Sequence, residues 1–117
     1  MHNKKLQNMF KLSSRVTIYI PSTINVNEEI DNSKYVDRIA GNLSQYFGGS
    51  TSTPALGYWL SQNNGLVKEK TVMVFAYCSD KDLQSNIDNL ITDCEALKNE
   101  LSQESIAMEI NGELYFI

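Results

Sequence analysis

The nine residues Lys70-Thr71-Val72-Met73-Val74-Phe75-Ala76-Tyr77-Cys78 constrain this chain more than any other stretch, because they are apolar at both parities. In a strand, successive side chains point to opposite faces. Val72, Val74, Ala76 and Cys78 then share one face, and Met73, Phe75 and Tyr77 share the other. A strand with one solvated face alternates apolar with polar residues. This one does not, so it belongs in the middle of a sheet.

The flanking segments supply that sheet. Val16-Thr17-Ile18-Tyr19-Ile20 is β-branched, alternating and stopped by Pro21, which predicts a first strand. Ser22 to Asn32 is polar, rich in Asn and predicts a loop. Asn32 or Ser33 can cap a helix running to about Phe47, with Tyr35, Val36, Ile39, Ala40, Leu43, Tyr46 and Phe47 as its apolar stripe. Gly48-Gly49 ends it. Thr51 to Leu60 predicts an edge or bulged second strand, since Pro54 cannot donate to a central ladder. Asn63-Asn64-Gly65 signals a turn into a third strand, Leu66 to Cys78.

Ser79 or Asp80 then caps a second helix whose stripe is Leu83, Ile87, Leu90, Ile91, Cys94, Leu97 and Leu101. Ile106, Met108 and Ile110 alternate again, and Asn111-Gly112 is a preferred two-residue hairpin turn before Glu113 to Ile117. The order β-α-β-β-α-β predicts an α+β fold: a ferredoxin-like split β-α-β antiparallel sheet, two helices on one face, and an added C-terminal hairpin strand. Residues 1–14 read as a flexible leader and 15–117 as a single domain.

In that topology the first and third strands are neighbours. Val16, Ile18 and Ile20 face the helices with Val72, Val74, Ala76 and Cys78. Tyr19, Met73, Phe75 and Tyr77, with Thr17 and Thr71, lie on a face that no helix covers. An aromatic patch there calls for an occupant. A second copy of the chain is the first choice, as a homodimer or higher assembly. A small ligand held between sheet and loop is another, and the leader, with Leu6, Met9, Phe10 and Leu12, folding across as a lid is a third.

Charge and composition narrow the classes. The net charge of −4 argues against nucleic acid, whose binding rests on neutralised phosphates. Lys4, Lys5, Lys11 and Arg15 read as a solvated tail, and the glycine-aromatic consensus of RNA-stacking domains is absent. No apolar run approaches the roughly 20 residues that span a bilayer, and no apolar core follows Met1–Lys11 to make a signal peptide. The expectation is a cytoplasmic protein without a membrane partner.

Chemistry is thinly signalled. His2 is the lone histidine and sits at the terminus, which disfavours triad or imidazole acid–base chemistry. Cys78 and Cys94 fall on apolar faces and read as core thiols, a disulfide being open if the two elements meet. No phosphate-loop pattern and no metal-ligand spacing occurs, so no catalytic residue, metal or cofactor is assigned. Asp80 and Asp82 read as cap and dipole partners. Glu69, between Lys68 and Lys70, reads as a solvated pair. Glu104, at a helix exit, opposes the dipole and hints at a hydrogen-bonded partner. Trp59, Glu69 and Glu104 are the candidate pocket.

Phe47-Gly48-Gly49-Ser50-Thr51, Gly57-Tyr58-Trp59, Gly65-Leu66-Val67-Lys68-Glu69 and Gln103-Glu104-Ser105-Ile106 follow one another in order. Together they resemble a family of small bacterial and phage-borne proteins of unknown function. The resemblance spans about Val16 to Ile110, implies a ferredoxin-like fold, and groups Trp59, Glu69 and Gln103-Glu104 near the strand ends. It brings no activity.

These features favour a non-enzymatic binding protein that acts through protein–protein contacts, for instance a phage or mobile-element inhibitor of a host bacterial system. The alternative is a small-ligand binder or cofactor-free enzyme of the dimeric α+β barrel type, with a pocket between sheet and helices near Trp59, Phe75 and Glu69.

Overall fold

The computed structural model describes residues 3–117. A five-stranded antiparallel sheet carries the fold, built from β1 (Ser14–Pro21), β4 (Thr51–Ser61), β5 (Gly65–Cys78), β6 (Ala107–Ile110) and β7 (Glu113–Phe116), in the order β4-β5-β1-β6-β7. The long helices α2 (Ser33–Phe47) and α3 (Asp80–Glu100) pack on one face, against β5 and β1 and against each other. A one-turn helix α1 (Lys4–Gln7) lies in the leader, and a small hairpin of β2 (Thr23–Ile24) and β3 (Glu28–Glu29) occupies the stretch read as a loop.

Each element has a local cause. The Ser79 hydroxyl accepts from the Asp82 N–H at 3.1 Å and starts α3. At α2 the Asp31 carboxylate accepts from the Ser33 N–H at 3.0 Å, while the Asn32 amide donates to the Pro21 carbonyl at 3.0 Å and ties the helix start to the end of β1. Gly48 ends α2 with φ 93°, a left-handed conformation that glycine adopts without steric strain. Asn111 and Gly112 take φ 52° and 88°, the pair of positive values a tight hairpin needs.

Register confirms the central pair. Val16 faces Ala76 and Ile18 faces Val74 across β1–β5. These four side chains are buried with Ile39, Leu43, Leu83, Leu90, Leu97 and Met108 under the helices. The helix stripes land where the 3.6-residue period placed them. Pro54 sits in β4 with no bulge, pairing with Val72, because β4 is an edge strand and its outer side needs no donor. Cys78 and Cys94 are both buried and free.

β1 stops at Pro21, opposite Thr71, but β4 and β5 continue pairing to Ser61 and Gly65. The two strands therefore project as a ribbon, and the molecule measures 53 × 28 × 21 Å. Leu56, Tyr58, Trp59, Leu60 and Leu66 stand exposed on this ribbon. The leader does not lie across the open sheet face. Phe10 is 88% exposed, and only Leu12 reaches the end of the face near Phe75 and Tyr77. Among the described residues no helix is long and apolar enough to cross a membrane.

Candidate functional site

Cross-strand partners share a face, so the register defines the open surface. Thr53, Met73 and Tyr19 form one row across β4, β5 and β1, and Thr51, Phe75, Thr17 and Glu109 form the next. The Phe75 and Tyr77 rings meet edge to face with centroids 6.2 Å apart. Tyr19, Met73, Phe75 and Tyr77 thus line one surface, as alternation implies. The same alternation puts Glu69 and Trp59 there as well, on the ribbon. A pocket between sheet and helices that joined Trp59, Phe75 and Glu69 does not exist, because all three point away from the helices.

Glu69 occupies an unusual place. Its cross-strand partner is Gly57, and the next pair on that face is Ala55 opposite Thr71. Small side chains beside a carboxylate leave a notch. Because β1 has already ended, the opposite side of the notch is bordered by Ser22, Thr23 and Gln103 instead of by β1. A cavity of about 220 Å³ results, lined by Glu69, Thr71, Tyr19, Gln103, Ser105 and Phe116 among others. A larger one of about 530 Å³ adjoins it, lined by the β2–β3 hairpin and the ribbon, and shares Glu69, Lys70, Ser22 and Thr23 with it.

Lys68 and Lys70 alternate to the opposite face, so they do not neutralise Glu69 as sequence adjacency suggested. The ion pairs among the described residues are Arg15–Glu109 and Arg38–Glu100, and no described side chain hydrogen-bonds the Glu69 carboxylate. An exposed, unpartnered carboxylate at a notch with aromatic neighbours is suited to a cationic ligand that carries a flat ring system.

Glu104 lies in the turn after α3, exposed and without the hydrogen-bonded partner foreseen for it. Its neighbour Gln103 makes those contacts: the amide donates to the Thr23 carbonyl at 3.0 Å and to the Leu101 carbonyl at 3.2 Å. Trp59 lines neither cavity, but as a diagonal neighbour of Glu69 it is within reach of a ligand seated at the notch. The candidate trio is therefore split. Glu69 is in the site, Trp59 stands at its edge, and Gln103 rather than Glu104 shapes the wall.

One buried acidic group escaped sequence reasoning. Glu109, 8% exposed, accepts from the Thr17 hydroxyl at 2.9 Å, the Gly112 N–H at 2.6 Å and the Arg15 guanidinium at 3.2 Å. Burial alone would raise its pKa. The Gly112 N–H, the Thr17 hydroxyl and Arg15 outweigh that and hold it below its ordinary value. With both carboxylate oxygens engaged, Glu109 fastens β1, β6 and the last turn. Nothing in the sequence alone marks it, since its partners are distant along the chain.

The thiols are inert by the same logic. Burial pushes Cys94 up to about 12 and raises Cys78 as well, so neither forms a thiolate near neutral pH. His2 lies outside the described residues. Among the described residues no three His, Cys, Asp or Glu side chains converge as metal ligands would.

No known protein family and no curated protein matches this sequence. Two solved structures match the fold along almost its whole length. A phage SAM lyase in complex with S-methyl-5'-thioadenosine is 21% identical with TM-score 0.63, over 93% of this chain and 94% of the other. A phage SAM lyase in the apo state is 18% identical with TM-score 0.64, over the same shares. These matches correct the expectation of a non-enzymatic protein binder. The two matched structures are of an enzyme.

Proposed function

We propose that this chain is a lyase that cleaves S-adenosylmethionine (SAM) at the Glu69 notch. The observation that carries the reading is the near full-length likeness to SAM lyase structures, combined with a free carboxylate at a cavity that a cationic nucleoside suits.

The chemistry asks little of the protein, in keeping with its sparse side-chain inventory. SAM carries methyl, adenosyl and aminobutyryl groups on a sulfonium. Release of S-methyl-5'-thioadenosine requires rupture of the bond from sulfur to the aminobutyryl γ-carbon. The electron pair of that bond goes to sulfur and discharges it. The substrate's own carboxylate reaches the γ-carbon in a five-membered ring, so the other product is the aminolactone, and no water or cofactor enters the balance. Binding that bends the aminobutyryl arm into this geometry accelerates the step by orientation.

Glu69 then serves as the anion that holds the substrate. At the sulfonium it would favour the ground state, because that charge disappears in the reaction. At the α-ammonium the charge persists, and binding energy there can be used to fold the arm. Tyr19, Phe116 and Trp59 offer aromatic surface beside the notch.

The strand order β4-β5-β1-β6, all antiparallel, with both long helices on one face, supports a ferredoxin-like description. The half-exposed aromatics of the open face and the apolar residues of the ribbon support self-association. Such contact would close the notch against solvent. A SAM-consuming activity would suit a cytoplasmic location. The direct test is turnover of SAM by the purified chain. Formation of S-methyl-5'-thioadenosine supports the reading, and its absence with SAM intact overturns it.

A further inference from the structure

The turn of the β2–β3 hairpin holds a residue out of keeping with its backbone. Asn25 and Val26 both have positive φ, 52° and 71°. Asparagine tolerates that region, but a β-branched residue does so only under strain. Such strain persists where the surroundings fix the chain, and here they do. The Asn25 N–H donates to the Leu101 carbonyl at 3.1 Å and the Ile30 N–H to the Ser22 carbonyl at 2.9 Å. Gln103 and Asn32 pin the two ends.

Burial within the protomer does not offset the strain, since Val26 is 43% exposed. Its side chain instead lines the 530 Å³ cavity, together with Leu56 and Val67 of the ribbon and with Glu69. A strained, half-exposed isopropyl group is thereby aimed into a cavity continuous with the proposed site.

We propose that Val26 is a ligand-contacting, specificity-determining residue: the hairpin holds it over the cavity so that it closes on the nucleoside half of the substrate. This rests on the SAM lyase reading. The residue acts on binding, not on the bond that breaks, because an isopropyl group offers neither charge nor a transferable proton to that step.

The test is Val26→Gly, with Val26→Asn as a second variant. Both accept positive φ and remove the apolar contact. Strain relief is read without any ligand, as a melting temperature raised by about 4 °C. The contact is read as a dissociation constant for S-methyl-5'-thioadenosine, and a KM for SAM, raised about tenfold, with kcat changed less than about twofold. Unchanged affinity in stabilised variants overturns the assignment of Val26 while leaving the SAM lyase reading intact. Wild-type protein that neither binds the thioadenosine nor consumes SAM overturns both, and variants that are not stabilised remove the strain on which the proposal stands.

Discussion

Glu69 faces Gly57 across the β4–β5 ladder, and that pairing gives the carboxylate its space. A Cβ added at Gly57 would meet nothing closer than the Glu69 carbonyl oxygen at 3.8 Å, an ordinary contact. The glycine is therefore not required by packing or by its backbone. Gly57→Val should stabilise the strand by roughly 0.5–1 kcal/mol relative to glycine, while filling the notch and weakening S-methyl-5'-thioadenosine binding by at least about tenfold. Thermal melts and calorimetric titration on the same variant check both signs.

The buried Glu109 makes a stability claim. Removing it leaves the Gly112 N–H and the Thr17 hydroxyl without their acceptor and Arg15 without its ion pair. Glu109→Ala should lower stability by about 1–3 kcal/mol in urea unfolding. Because the folded-state pKa lies below the ordinary 4.5, the contribution is present above that value and is lost as pH falls through the folded one. The gap between wild type and variant should therefore narrow in strong acid.

At the other extreme of pH, Tyr46 matters. Burial first, and then its hydrogen bond to Asp93 at 2.9 Å, pushes the phenol up to about 12. A folded value above the unfolded 10 means stability present below pH 10 and lost as pH climbs to about 12. Tyr46→Phe should flatten that alkaline decline in unfolding curves. An identical slope in the variant would assign the decline to other groups.

Self-association has a simple reading in solution. Phe75 sits at the middle of the open face, half-buried in the isolated chain. Sedimentation should give a mass above that of one chain for the wild type and a shift toward monomer for Phe75→Glu. A wild-type monomer at micromolar concentration would remove the assembly from the account.

Most of the scaffold was legible because its signals are local or periodic. The double-parity apolar run of β5 fixed the centre of the sheet, Pro54 marked an edge, and Asn111-Gly112 marked the last turn. The β2–β3 hairpin was not legible. Two residue pairs in a polar, Asn-rich segment carry no hydrophobic alternation, and long-range bonds to Leu101 and Gln103 hold it.

The site was half legible. Glu69 could be named, but its freedom from Lys68 and Lys70 depends on strand parity, and its exposure depends on β1 ending at Pro21. Glu104 was chosen over Gln103 because charge draws attention. A neutral amide that bridges two segments leaves no trace in composition.

The central claim is tested most directly by incubating SAM with the purified chain and with Glu69→Gln, separating the products by liquid chromatography and mass spectrometry. The account predicts S-methyl-5'-thioadenosine and an aminolactone from the wild type, with turnover lost by at least about a hundredfold, roughly 2.7 kcal/mol of transition-state binding, in a variant that melts like the parent. Wild-type protein that leaves SAM intact, or a Glu69→Gln variant with undiminished turnover, would contradict it.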